Sequence, residues 1–201
     1  LEAGVHLEEV EALVGAAGDE LDGAGAVVAD GLGERDGLRA LFVRPRLLLS
    51  SRLSNRNSIL KLLTYSRFID VAQSATIAED MVSAVWELVA QRATGAYNVA
   101  NPGLISPWEI AGMLKETVAP ELCPIKIPVD DLHAFTKVRR IRSVLSTDRL
   151  KERRIELPEI KAGLRNVLLA LKAEIGTVRG RKVLAATRRD TKAKLRQVTP
   201  A

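Results

Sequence analysis

The sequence predicts an α/β fold on three observations. Short runs rich in β-branched and aromatic residues recur: Leu41-Phe42-Val43, Phe68-Ile69-Asp70-Val71 and Ala96 to Ala100. Between and after them lie segments whose apolar residues repeat every three or four positions, as helices require. Gly, Pro and Asn punctuate the joins, most clearly at Asn101-Pro102-Gly103.

Each element has its own local reason. Leu41 to Val43 reads as a buried strand running into the basic loop Arg44-Pro45-Arg46. Ser54 to Asn57 supplies polar caps for a helix carrying Ile59, Leu60, Leu62 and Leu63. Thr76-Ile77-Ala78-Glu79 has capping-box spacing and precedes an apolar face of Met81, Val82, Val85, Leu88 and Val89. Gly95 stands where a helix can end in a left-handed residue. Ser106-Pro107-Trp108-Glu109 is the stronger start signal: serine caps, proline takes the first helical position, and glutamate follows three residues after the serine. Pro124 to Pro128 reads as extended, and Val129 to Phe135 as a helical turn. Thr147-Asp148 begins a short helix. Pro158-Glu159 opens a longer one with Ile160, Leu164, Val167, Leu168 and Leu171 on one face.

The chain has 201 residues and 47% apolar residues, enough for a core, but only 3% aromatics. That core must be built from Leu, Val, Ile and Ala. A single cysteine, Cys123, excludes an internal disulfide and a multi-cysteine metal site within this sequence. No apolar run reaches the roughly 18 residues a membrane helix needs. No basic segment followed by an apolar run opens the chain, so no signal peptide is expected, and the expected location is cytoplasmic. The first residue is Leu1, which suggests a partial product.

Net charge is +5 and unevenly placed. Residues 1–40 hold ten acids against two bases and eight of the fourteen glycines. From Lys172 to Ala201 there are nine bases against two acids. The expected organisation is therefore an acidic, glycine-rich lead-in at 1–40, a folded part at 41–175, and a basic, poorly ordered tail at 176–201. The apolar run Ala26 to Ala29 with Gly31, Gly33 and Gly37 invites a dinucleotide-loop reading. The spacing is not G-x-G-x-x-G and the required helix is missing, so that reading fails. His6 and His133 are the two histidines; Asp130-Asp131-Leu132-His133 reads as a helix start rather than a metal site. Cys123 precedes Pro124 with no evident base and reads as a packed thiol.

Five segments then fall in a telling order: Asn57-Ser58-Ile59-Leu60, Asp70 to Asp80, Gly95-Ala96-Tyr97-Asn98, Ser106-Pro107-Trp108-Glu109 and Ser143 to Leu150. That order resembles the carboxyl-terminal, substrate-binding half of dTDP-4-dehydrorhamnose reductases and UDP-rhamnose synthases, which are extended short-chain dehydrogenase/reductases. The resemblance covers about residues 41–172. It implies an incomplete Rossmann-like NAD(P)-binding fold: carboxyl-terminal strands plus a small substrate lobe, with loose termini. It implies reduction of a 4-keto nucleotide sugar with NAD(P), some members also epimerising the sugar. A diphosphate needs arginine forks and fixed amide donors. Arg44, Arg56, Asn57, Gln73 and Arg140 are the substrate-binding candidates on this basis.

The family's dinucleotide loop has no match in this sequence. Nor has its Tyr-x-x-x-Lys pair, in which lysine lowers the pKa of the tyrosine acid: Tyr65 is followed four later by Ile69, and Tyr97 by Asn101. No catalytic, cofactor-binding or metal-binding residue is therefore assigned, and this chain alone is expected to bind no cofactor. The proline usual before the matching helix threshold is replaced by Ala75. The expected role is the substrate-binding portion of a nucleotide-sugar reductase/epimerase, inactive alone. A non-catalytic regulatory or binding subunit of the same fold family is the alternative, with self-association or a partner chain expected for strands lacking neighbours. Nucleic-acid association through the basic tail is the least favoured reading, and no membrane partner is expected.

Overall fold

The computed structural model describes residues 40–54, 57–127 and 143–198, with side chains as far as Asp190. The strands are β1 (Leu41–Pro45), β2 (Leu48–Leu49), β3 (Arg67–Ile69), β4 (Thr76–Ile77), β5 (Gly95–Val99) and β6 (Ile125–Ile127). The helices are α1 (Ser58–Leu62), α2 (Ala78–Ala90), α3 (Pro107–Thr117), α4 (Asp148–Glu152), α5 (Ile160–Ile175) and α6 (Val178–Val198). The expected turn at Val129 to Phe135 lies outside the described residues.

Two compact units divide the chain: Leu1–Phe42 with Ala93–Ala96, and Val43–Arg92 with Tyr97–Ala201. In the first, the Gly95 amide donates to the Ala40 carbonyl at 2.8 Å. The fold is α/β, as the sequence implies. β1 pairs with β5. β2 runs parallel to β4, with Leu48 opposite Thr76 and Leu49 opposite Ile77. β3 runs parallel to β6, with Phe68 opposite Lys126. Short parallel pieces with helices between them are the signature of βαβ architecture.

The core gathers Leu49, Ile59, Leu60, Ile77, Ile105, Ile110, Leu114, Ile160, Leu164, Leu168 and Leu171, with no aromatic ring among these residues. The periodic residues of α3 and α5 are the ones buried, as their spacing dictates. Truncating a fully buried leucine such as Leu164 to alanine would cost about 2–5 kcal/mol.

Helix starts divide into those the sequence names and those it does not. Ser106 caps α3 as read: its hydroxyl accepts from the Glu109 amide at 3.1 Å, and the Glu109 carboxylate accepts from the Ser106 amide at 2.9 Å. The expected capping box at Thr76 and Glu79 does not form. Thr76 lies in β4 and its hydroxyl donates to the Val99 carbonyl at 2.7 Å. The N-cap of α2 is Ile77, whose side chain cannot cap. Its amide is satisfied instead by Asn101 Oδ1 at 2.7 Å. Glu79 turns away to accept from the Ser51 amide and hydroxyl and from the Ser50 hydroxyl. At the other end of α2, Arg92 takes the left-handed backbone, φ 51°, and Gly95, φ 88°, opens β5.

The structure also differs beyond Gly176, where the sequence reading has a poorly ordered tail. Residues Val178–Val198 form α6, which lies against α5 and α1. Val183 and Leu184 pack on the core and Thr187 is buried, so the helix has an apolar side that its low overall hydrophobicity conceals. Gly180 permits the approach: a Cβ there would lie 2.1 Å from the Glu174 carbonyl oxygen.

Candidate functional site

The site grows from the turn after β1. Arg44 lies in that strand, and Arg46 follows Pro45 in the turn to β2. Leu47 adopts a left-handed backbone at φ 43°, unusual for a branched residue, and its carbonyl accepts from the Thr76 amide at 3.2 Å. Thr76 Oγ1 also accepts from the Arg46 amide at 3.1 Å. The turn is thus tied to β4 at both residues.

The Arg46 guanidinium donates through Nη2 to Gln73 Oε1 at 2.9 Å. Gln73 is itself held by a two-way backbone bridge to Ile105, at 3.1 and 3.0 Å. Next to it, the Ser74 amide donates to the Ser143 carbonyl and the Ser74 hydroxyl accepts from the Leu145 amide. Asn98 Nδ2 reaches the Ser146 carbonyl at 2.8 Å. The segment 143–146 is therefore laced to the residues flanking Gln73. Arg44 Nε and Arg46 Nε are both buried without a hydrogen-bond partner. Buried cationic donors are normally satisfied, so two orphans two residues apart are an exception to that rule.

A second polar junction lies at Asp70. Its carboxylate accepts from the Ser106 hydroxyl at 2.7 Å and pairs with Lys126. The hydrogen bond from Lys126, then that from Ser106, holds the Asp70 carboxyl below its ordinary value. This junction joins the end of β3 to β6 and to the cap of α3.

Of the five sequence-derived candidates, the structure brings one, Gln73, against a cation, and that cation is Arg46, which the candidate set omits. The signal was the basic loop Arg44-Pro45-Arg46; nothing local distinguishes which arginine faces Gln73. Arg44 stands two residues away with its buried Nε unpaired. Asn57 is spent on the backbone. Its Oδ1 caps α1 by accepting from the Ile59 and Leu60 amides, and its Nδ2 donates to the Ser50 and Arg52 carbonyls. Arg56 and Arg140 lie outside the described residues.

The described residues do not fit a nicotinamide dinucleotide. None of the described glycines stands in G-x-G-x-x-G spacing. Gly103, φ 94°, stands before α3, but the space a Cβ would take is occupied by Glu159 Oε1 at 2.9 Å and Ile160 at 3.1 Å. Tyr97 is 2% exposed, with its hydroxyl accepting from Arg153 Nε and its ring under Arg149 at 4.6 Å, so it is a packing residue. Among the described residues no group of three His, Cys, Asp or Glu side chains could hold a metal, and no helix is long and apolar enough to cross a membrane. Asp130, Asp131 and His133 lie outside those residues. Cys123 is exposed, not packed as read, because it sits in the turn before β6.

A mixed α/β chain with short parallel strands, and an arginine pair beside a glutamine held on both sides of its backbone, define the class of fold and the candidate site. Comparison with known proteins gives the particular relatives. A protein of Acanthamoeba polyphaga mimivirus is 30% identical over 132 residues, 66% of this chain and 46% of that protein. The solved UDP-rhamnose synthase of that virus superposes with a TM-score of 0.58 at 29% identity, over 65% of this chain and 45% of that one. The bifunctional dTDP-4-dehydrorhamnose 3,5-epimerase/dTDP-4-dehydrorhamnose reductase of Arabidopsis thaliana is 30% identical over 123 residues, 61% of this chain and 41% of the enzyme. The dTDP-4-dehydrorhamnose reductase of Bacillus anthracis, solved with NADP, shares the fold with a TM-score of 0.52 at 20% identity, over 64% of this chain and 48% of that one. No model of a known protein family matches the sequence.

Over about two thirds of its length, then, this chain is similar to the UDP-rhamnose synthases and dTDP-4-dehydrorhamnose reductases, as its ordered motifs indicate, and it shares their Rossmann-like fold in part. It spans less than half the length of these relatives.

Proposed function

We propose that this chain is the substrate-binding portion of a nucleotide-sugar reductase/epimerase, holding the diphosphate of a nucleotide sugar at Arg44, Arg46 and Gln73. One observation carries the reading: two guanidinium Nε groups are buried without acceptors beside a glutamine that already orients one of them. A diphosphate offers several anionic oxygens, and an arginine fork matches them in geometry and charge. Gln73 sets the direction of the Arg46 fork, and the 143–146 segment borders it. Asn57 contributes indirectly by fixing the loop from Ser50 to Arg52. Alone, residues 41–175 bind substrate and transfer no hydride, because neither the dinucleotide loop nor the tyrosine acid is among them.

Titration calorimetry of the full chain with UDP and with dTDP tests this. The expected result is binding of at least one, abolished by Arg46→Ala and weakened by Gln73→Ala, with circular dichroism unchanged. No heat from either nucleotide with the folded chain would refute it. With NADPH and a 4-keto nucleotide sugar, no NADPH oxidation is expected. The second reading, a non-catalytic subunit, is favoured by the outward apolar stripe of α2, where Trp86 is 45% and Val89 is 50% exposed.

A further inference from the structure

α6 concentrates positive charge. Val178–Val198 carries eight Lys and Arg residues and one acid, Asp190. Arg181, Lys182, Arg188 and Arg189 are exposed and line one shallow depression with Leu184 and Ala185. None of these four is ion-paired to a described carboxylate; the Arg181 guanidinium donates one hydrogen bond to the Gly176 carbonyl at 2.6 Å. The helix is fixed rather than trailing. Val183 and Leu184 seat it on the core, Thr187 is buried, and the Gly180 contact sets it close on the end of α5.

We infer that α6 binds the phosphate backbone of double-stranded nucleic acid without reading sequence. Four cations on a folded helix confront a polyanion together, so the backbone entropy of gathering them is already lost on folding. Three of the four are arginines, whose planar forks suit phosphate oxygens. An anionic membrane is the poorer fit, because a helix lying on a bilayer must bury an apolar face, and α6 has committed its own to α5 and α1. Single strands are the poorer fit too: Val178–Val198 contains no aromatic residue on which a base could stack. Contacts to phosphate carry no sequence information, so a random duplex should bind as well as any other.

Fluorescence anisotropy with the full chain and a labelled random duplex of about two helical turns tests the proposal. Four phosphate contacts give a log–log salt slope of about −3.6, so raising salt from about 50 to 200 mM should weaken binding about a hundredfold. The Arg181→Glu, Arg188→Glu, Arg189→Glu triple variant should abolish duplex binding, and Lys115→Glu on α3 should leave it intact. The single strand of the same length should bind more weakly than the duplex. Circular dichroism of the triple variant checks that the helix persists; should it unfold, the salt slope and the duplex preference of the unaltered chain decide. Absence of duplex binding at the low salt, equal or better binding to single strand, retention of binding in the folded triple variant, or preference for vesicles containing phosphatidylserine would each overturn the inference.

Discussion

Replacing Asn101 by alanine removes three hydrogen bonds from a side chain that is 2% exposed. Its Oδ1 accepts from the Ile77 amide at 2.7 Å, and its Nδ2 donates to Asp80 Oδ2 at 2.6 Å and to the Pro158 carbonyl at 3.0 Å. Ile77 is buried, so its amide finds no substitute partner, whereas Pro158 is exposed and its carbonyl turns to water. A buried group left unpaired costs about 1–3 kcal/mol. Asp80 is half-buried and is counted as resolvated. One orphaned backbone group therefore predicts a loss of about 2 kcal/mol, a sizeable share of the roughly 5–15 kcal/mol a domain possesses. In urea, with a slope near 2 kcal/mol per molar, the midpoint should fall by about 1 M. Asn101→Asp separates the two halves of the argument. It keeps the acceptor for Ile77 but sets two carboxylates face to face, so its deficit should shrink as pH falls and one of them takes a proton. An alanine variant within about 1 kcal/mol of the unaltered chain would show that the three strands of chain meeting at Asn101 are held by packing alone.

Two further outcomes are expected. Burial pushes the Glu79 carboxyl up, but the bonds from the Ser51 hydroxyl and amide and the Ser50 hydroxyl outweigh it, and the net effect is downward. Its contribution is thus complete above about 4.5, the ordinary value, and disappears as pH falls through the lower folded value. Glu79→Gln should cost about 1 kcal/mol at pH 7, exposure limiting the effect, and progressively less as pH falls below about 4.5, read by thermal unfolding; a pH-independent difference would reject the assignment. Trp86→Glu should reduce concentration-dependent self-association in analytical ultracentrifugation, because it places a charge beside exposed Val89 and half-buried Val82 and Val85; an unchanged sedimentation profile for an associating chain would exclude that face.

The strand at Leu41 to Val43, the helix from Ile160 and the cap at Ser106 were legible because each signal is local. Side-chain period, proline at the first helical position and a Ser–Glu pair three residues apart act within one turn of chain. Cys123 shows the limit of such reading, since exposure of a single thiol is decided by where the turn before β6 lies. The similarity to nucleotide-sugar reductases was legible too, through the order of five motifs rather than the strength of any one.

By itself the sequence determined the α/β alternation, the core periodicity and the charge asymmetry, since these depend on which residues stand within a few positions of one another. Only the tertiary structure decided how Thr76, Glu79, Asn101 and Gln73 are used. Thr76 is claimed by Val99 and Arg46, 23 and 30 residues away, and Gln73 meets Arg46 across 27. A hydroxyl or an amide has the same local options wherever it stands, and the partner that wins is the one the packed backbone brings within hydrogen-bonding distance. The same holds for α6, whose few apolar residues form a stable face only because α5 and α1 are there to receive it.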